Sequence, residues 1–142
     1  MAEELAVKMK LPSDMISEVE RELADLDATE VDVPTQPPTG FEPISITIAA
    51  VIGISAISEL ILRWKAKRGC QQIVDARQDQ IKTEMNCKVK DGRIIVLTRS
   101  GEEVEIVEAP QGIDLTEVLK AAASGGAAEV KKAADAAGAK TA

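Results

Sequence analysis

The chain has 142 residues, enough for one domain with a modest hydrophobic core. Its formal net charge is −7, its pI is near 4.7, and it contains one Trp, one Phe and no Tyr. These totals argue against a nucleic-acid-binding protein, because the chain lacks both the positive charge that attracts phosphates and the aromatic side chains that stack on bases.

Histidine is absent from the sequence. Enzymes working near neutral pH use His more often than any other side chain as general base, and imidazole is the commonest metal ligand. The two cysteines, Cys70 and Cys87, form no CxxC pair and are too few for a four-ligand zinc site. No glycine-rich phosphate loop and no GxSxG motif is present. We therefore predict that the protein is not an enzyme and uses no catalytic residue, cofactor, metal or small-molecule substrate.

The first 42 residues carry the negative charge. They contain eleven acidic and three basic residues, so residues 43–142 have a net charge of +1. The first ten residues contain early acids and no apolar core, so no cleavable signal peptide is visible, which predicts a cytoplasmic location. We interpret residues 1–42 as a flexible acidic arm and residues 43–123 as an α+β domain. Residues 124–142 are rich in Ala, which predicts a disordered or frayed tail.

Within the arm, LPSDMISEVERELADLDA predicts a short amphipathic helix. Its apolar residues recur on one face: Met15, Val19, Leu23 and Leu26. A helix of about a dozen residues is marginal alone in water, so this face needs a surface to pack on. That surface is either the protein's own domain or a groove on a partner protein, and in the second case these four residues bind the partner. The following segment, VDVPTQPPTGFEP, contains four prolines and predicts an extended linker.

Residues 81–90 alternate between apolar and polar side chains, which predicts a half-buried strand. The dipeptide Asp91-Gly92 follows directly and predicts a two-residue hairpin. That hairpin pairs Val89 with Ile94 and Cys87 with Val96. Residues 99–101 predict a three-residue loop that keeps one apolar face across three strands. This second loop pairs Val96 with Val104 and Ile94 with Ile106.

An earlier hairpin around residues 78–79 places Cys70 opposite Cys87. The two thiols are either buried structural residues or a redox pair. Further along the chain, Asp-Leu-Thr-Glu from Asp114 onwards is a capping box that predicts the start of a final helix. The apolar side of that helix consists of Leu115, Val118 and Leu119.

The stretch ITIAAVIGISAISELILRWKAKRG is the most apolar part of the chain. We predict a core helix over residues 46–62, because the apolar face of the strands needs a long element to cover it. The predicted fold class is α+β. It consists of a small antiparallel meander of three to four strands covered by one long apolar helix, with a short C-terminal helix and a flexible acidic N-terminal arm. A helix this apolar also exposes Ile or Leu on its far side, which is covered either by the arm helix or by a second copy of the chain. We therefore expect a homo-oligomer.

The alternative is a single membrane span over about residues 44–64, with a small cytoplasmic β domain at the inner membrane. Arg63, Lys65, Lys67 and Arg68 lie on one side of the apolar stretch and the acidic arm on the other, as the positive-inside rule requires. Glu59 argues against the span, because it would be an isolated charge in lipid. The basic cluster is either a solvated helix end or a contact for an acidic partner or anionic lipid.

The order of these elements resembles that of the effector-associated constant-component proteins of bacterial conflict systems, small modules that accompany protease or NTPase effectors. The resemblance lies within residues 46–120, in the segments ISELILRWKAKRG, VKDGRIIVLT and IDLTEVLKAA. It stops at residues 1–42, where that family is expected to begin with a strand and we predict none. The resemblance implies a non-enzymatic adaptor or assembly module. We expect it to self-associate and to bind a protein partner through its arm helix or a free sheet edge.

Overall fold

Strands and helices are interspersed along the chain in the computed structural model, which describes residues 4–33, 45–110 and 112–142. The strands are β1 (Glu4–Pro12), β2 (Thr29–Asp32), β3 (Ser45–Gly53), β4 (Gln71–Asp75), β5 (Ile81–Asn86), β6 (Ile94–Leu97), β7 (Glu103–Glu108) and β8 (Lys140–Thr141). The helices are α1 (Ile16–Asp25), α2 (Ile54–Arg68), α3 (Thr116–Ser124) and α4 (Ala127–Ala137).

The described strands form one mixed sheet in the order β2-β3-β1-β5-β4-β6-β7-β8. β1 is parallel to β5 and β4 is parallel to β6, whereas the other neighbours are antiparallel. Buried residues alternate along the strands and fall on one face of the sheet, where they join the buried residues of the helices in one core. The fold is therefore α+β with two layers, in which the helices cover one face of the sheet and no other described segment covers the second face.

The architecture predicted from the sequence is wrong. An eight-stranded mixed sheet with four short helices stands in place of the expected meander of three to four strands under one long apolar helix. The error has two sources: both ends of the chain add strands to the sheet, and the expected long helix is divided between a strand and a helix.

The predicted flexible arm is part of the folded domain, and it contains the strand that we did not predict. β1 lies inside the sheet between β3 and β5, because Val7, Met9 and Leu11 alternate with exposed residues and are fully buried. The predicted amphipathic helix is present as α1. The predicted linker overlaps β2 at Val31 and Asp32, and from residue 34 onwards it lies outside the described residues.

The helix predicted over residues 46–62 is wrong in its first half. Ser45–Gly53 forms β3, with alternate residues from Ile46 to Ile52 on the buried face, and α2 begins only at Ile54. A short apolar run has no period that separates a buried strand from a buried helix, which explains the error. Among the helices of the described segments, none is both long enough and apolar enough to cross a membrane.

The hairpin predicted at Asp91-Gly92 is wrong, because β4 lies between β5 and β6. The turn carries the chain past the end of β4, where the Gly92 amide donates to the Gly69 carbonyl. The two other predicted registers are confirmed. β6 pairs with β7 through Val96–Val104 and Ile94–Ile106, and the β4–β5 register places Cys70 opposite Cys87. These two cysteines form a disulfide bond with a Cα–Cα distance of 4.6 Å.

The predicted disordered tail folds onto the sheet as α4 and β8. Val130 and Ala134 of α4 are fully buried, because small residues let this helix approach closely. Glu102 from the β6–β7 turn accepts a hydrogen bond from the Ala127 amide at the start of α4. The predicted helix near Asp114 is present as α3, which begins at Thr116 and is followed by α4. Its three predicted apolar residues are buried.

Candidate functional site

The apolar face of α1 is occupied by the protein's own core. Met15, Val19 and Leu23 are at most 1% exposed, and Leu26 is half-buried against the same core. The sequence left two surfaces possible for this helix, its own domain or a partner's groove. The structure shows that the helix packs on its own domain. A partner has no access to these side chains in this fold.

Three of the four cations at the end of α2 form salt bridges with acids in the α1 region. The pairs are Arg63–Glu22, Lys67–Glu18 and Arg68–Asp14. The acids are spaced four residues apart, so they form a row that faces the end of α2. The predicted basic cluster thus contacts acidic residues that lie beside the predicted apolar residues of the α1 region, and three of the eleven acids of residues 1–42 are compensated by this contact.

Glu22 is at the centre of this contact and is 6% exposed. Its Oε1 accepts a hydrogen bond from Trp64 Nε1 at 3.1 Å, and its Oε2 accepts one from Arg63 Nη1 at 3.0 Å. The hydrogen bond to Glu22 raises the pKa of Arg63 from its ordinary value, an effect that burial opposes. Both carboxylate oxygens are satisfied, so Glu22 is a structural link between α1 and α2. Nothing in the sequence distinguished it from its exposed acidic neighbours.

A groove of about 840 Å³ lies between α2 and the segment that joins β7 to α3; we call it the α2 groove. Its described lining residues are Ser55, Ser58, Glu59, Leu62, Arg63, Lys65, Ala66, Ala109, Pro110, Gly112, Ile113 and Asp114. Leu62 and Ile113 are half-buried and pack against the core, which gives the groove an apolar floor. The sequence did not predict this groove, because its second wall comes from residues 109–114, which lie about 40 positions beyond the end of α2.

The second wall of the groove is held by Ser58 and Asp114. The Ser58 hydroxyl is 2% exposed and accepts a hydrogen bond from the Leu115 amide at 2.9 Å. Asp114 Oδ1 accepts hydrogen bonds from both the hydroxyl and the amide of Thr116. These contacts lower the pKa of Asp114, first through the Thr116 hydroxyl, so the wall carries a negative charge near neutral pH.

Lys65 differs from the other three predicted cations. In the described ranges it forms no salt bridge, and its half-buried side chain lines the α2 groove. Glu59, on the same helix surface, is exposed and pairs with Arg63 at 2.6 Å. Lys65 is therefore the predicted partner-binding residue whose charge is left without an ionic partner within this part of the chain.

The α2 groove combines apolar and charged side chains. Its floor is apolar and its rim carries Glu59, Arg63, Lys65 and Asp114, an arrangement that matches the apolar centre and polar rim of protein–protein interfaces. Across the described residues, no three His, Cys, Asp or Glu side chains lie close enough together to hold a metal ion.

Comparison of the chain with protein-family models, with curated proteins and with solved structures gave no match.

Proposed function

We propose that the protein is a non-enzymatic adaptor or assembly module of a bacterial multi-protein system, which self-associates and binds a protein partner in the α2 groove. The resemblance of residues 46–120 to conflict-system modules supports the class of function. A cytoplasmic location, expected from the sequence, belongs to the same proposal; the Cys70–Cys87 disulfide argues against it, because structural disulfides are rare in reducing compartments.

The observation that carries the partner-binding part of the proposal is Lys65. Its ammonium group has no salt-bridge partner in the described residues, although an acidic segment of the same chain pairs with the neighbouring Arg63, Lys67 and Arg68. Lys65 also lies beside the apolar floor formed by Leu62 and Ile113. A lysine next to an apolar floor complements a partner segment that has one apolar anchor and a nearby carboxylate.

The α2 groove replaces the two docking elements expected from the sequence. The apolar face of α1 is buried, and the edges of the sheet are poor templates for strand addition. β2 is a four-residue acidic strand with a register irregularity, and β8 is only two residues long. Short, charged or bulged strands are the features by which proteins block edge-to-edge pairing.

Affinity capture from the native host tests this function. Tagged wild type is compared with Lys65→Glu and Leu62→Asp, and Lys131→Glu on the exposed side of α4 is the matched control. We expect the same protein to be enriched by wild type and control, and its recovery to fall at least roughly tenfold with Lys65→Glu, because the reversed charge repels the partner's carboxylate. Circular dichroism establishes that each variant is folded. Equal recovery by all four proteins contradicts the assignment of the groove.

A further inference from the structure

A second groove, of about 730 Å³, lies on the face of the sheet away from the helices; we call it the sheet groove. Its charged lining residues are Lys8, Lys10, Asp75, Arg77, Lys82 and Glu84. They give the groove four positive and two negative charges, whereas the whole chain has a net charge of −7. The volume is within the range of about 300–1,000 Å³ that is typical of small-molecule sites. The sheet groove is thus a basic concavity of ligand size on an acidic protein.

The two acids of the sheet groove are already engaged by two of its cations. Lys10 Nζ lies 3.3 Å from Glu84 Oε1. Both carboxylate oxygens of Asp75 accept hydrogen bonds from the guanidinium group of Arg77, at 2.9 and 2.8 Å. The hydrogen bonds from the Arg77 side chain lower the pKa of Asp75, so this carboxylate is ionised near neutral pH and its charge is compensated by Arg77.

Lys8 and Lys82 are the other two cations, and they lie directly opposite each other on β1 and β5. Both side chains are exposed, and neither forms a salt bridge within residues 4–33, 45–110 and 112–142. The neighbour of Lys8 on β3 is Ala49, and the neighbour of Lys82 on β4 is Asp75, which Arg77 already holds. Like charges at opposed positions of neighbouring strands destabilise a sheet. An anion bound between the two ammonium groups relieves this repulsion.

A phosphate group fits the lysine pair better than a carboxylate does. Neighbouring strands are about 4.8 Å apart, so the flexible side chains of Lys8 and Lys82 bring both ammonium groups to one anion. A phosphate monoester carries about −1.5 to −2 charges near pH 7 and compensates both lysines, whereas a carboxylate compensates one. Its oxygens also accept several charge-assisted hydrogen bonds at once.

The part of the sheet groove beyond the lysine pair is apolar. Ile73 of β4 and Leu97 of β6 are half-exposed, and neither is among the partly buried side chains that pack against the core. Ile73 is one diagonal step from Lys82, about 7–8 Å, and Leu97 is two strand spacings away, about 10 Å. Glu103 of β7 lies beside Leu97 and repels an anion from that end. A ligand is therefore oriented with its phosphate between β1 and β5 and its organic part towards β6.

We propose that the sheet groove binds a phosphate monoester with an apolar organic group. Lys8 and Lys82 hold the phosphate, and Ile73 and Leu97 contact the apolar group. This site goes beyond the proposed adaptor function and does not depend on it, because the α2 groove is formed on the helical side of the sheet. The same chemistry occurs in soluble phosphate esters and in the headgroup region of a phosphatidic acid membrane.

Isothermal titration calorimetry of the full chain with hexyl phosphate tests the site. We expect a dissociation constant below about 1 mM at low ionic strength. Inorganic phosphate should bind more weakly and 1-hexanol should not bind, because hexyl phosphate combines the charge of the first with the apolar group of the second.

Four variants assign the binding to the groove. Lys8→Gln and Lys82→Gln should each weaken hexyl phosphate binding roughly tenfold or more, because each removes a charge-assisted hydrogen bond. Leu97→Ser should weaken hexyl phosphate binding roughly tenfold and leave inorganic phosphate binding unchanged. Lys131→Gln on the exposed side of α4 removes the same charge as the first two variants and should bind like wild type. Thermal unfolding establishes that each variant is folded. About 10 mM hexyl phosphate should raise the Tm of wild type and Lys131→Gln equally, and that of Lys8→Gln by less.

Two results overturn the site. The first is the absence of binding by wild type up to about 10 mM hexyl phosphate. The second is an equal loss of affinity in Lys82→Gln and Lys131→Gln, which assigns the attraction to net charge and not to the lysine pair. Where hexyl phosphate binds as expected, cosedimentation with vesicles identifies the source of the ligand. Binding to phosphatidylcholine vesicles only when they contain phosphatidic acid supports a lipid headgroup, and the absence of vesicle binding supports a soluble ester.

Discussion

Glu22→Ala is the substitution whose effect follows most directly from the contacts of one residue. The carboxylate is buried and accepts one hydrogen bond from Trp64 and one from Arg63. Its removal leaves the fully buried indole N–H without an acceptor, which costs about 1–3 kcal/mol. The lost ion pair adds less than about 1 kcal/mol, because the Arg63 side chain is 36% exposed and water screens it. We therefore expect a loss of about 3 kcal/mol in the free energy of unfolding.

For a chain of this length the unfolding entropy is about 0.3 kcal/mol/K, so the loss corresponds to a decrease of roughly 10 °C in Tm. Glu22→Gln keeps an acceptor for Trp64 but removes the charge, and it should cost only about 1 kcal/mol. Urea unfolding followed by the fluorescence of Trp64, the sole tryptophan, measures the free energy of unfolding of both variants. Glu20→Ala, an exposed neighbour on α1, is the control and should change stability by less than about 0.5 kcal/mol. If Glu22→Ala is no more destabilising than Glu20→Ala, the contacts of Glu22 between α1 and α2 do not contribute to the stability of the fold.

Three further predictions concern the disulfide, the groove wall and the C-terminal helix. Cys87→Ser, or reduction of the Cys70–Cys87 disulfide in wild type, should lower the free energy of unfolding by about 3 kcal/mol, because the bond closes a loop of sequence separation 17; an unchanged Tm on reduction contradicts this. The pKa of Asp114 is lowered in the fold, so its contribution to stability is present above about pH 4 and is lost as the pH falls through the lowered pKa. Asp114→Asn should therefore lose less stability than wild type between pH 6 and pH 2 in a denaturant titration, and parallel losses refute the assignment. Val130→Ala in α4 should cost roughly 2 kcal/mol, whereas Lys131→Ala beside it should be neutral; equal effects in thermal unfolding mean that α4 is not packed.

Local patterns in the sequence predicted local structure well. The periodicity of α1 gave a helix whose apolar residues are buried, and the three-residue loop at residues 99–101 gave the correct β6–β7 register. The alternation of Leu5, Val7, Met9 and Leu11 also indicates a strand, but the excess of acids in residues 1–42 concealed it. Some of these acids form salt bridges with the end of α2. Composition alone does not distinguish such an internal contact from a solvated acidic arm.

The errors arose where distant segments decide the structure. The chain turns at Asp91-Gly92 as predicted, and Gly92 has a positive φ of 66°. The strand next to β6, however, is β4 and not β5. The run from Ile46 to Ile52 fits a helix or a strand equally well until β1 is present beside it. Ala-rich α4 lacks large apolar residues. Its small side chains are buried only because the helix lies close to the surface of the sheet. The α2 groove likewise exists only once the β7–α3 segment lies against α2.

Site-specific photo-crosslinking in the native host tests the adaptor function most directly. A photo-reactive amino acid replaces Leu62 in the α2 groove or Lys131 on the exposed side of α4, in separate full-length proteins. We predict that position 62 gives one discrete adduct with a different protein. Position 131 should give no such adduct. The absence of an adduct at position 62, or the same pattern of adducts at both positions, contradicts a protein that acts by binding a partner in the α2 groove.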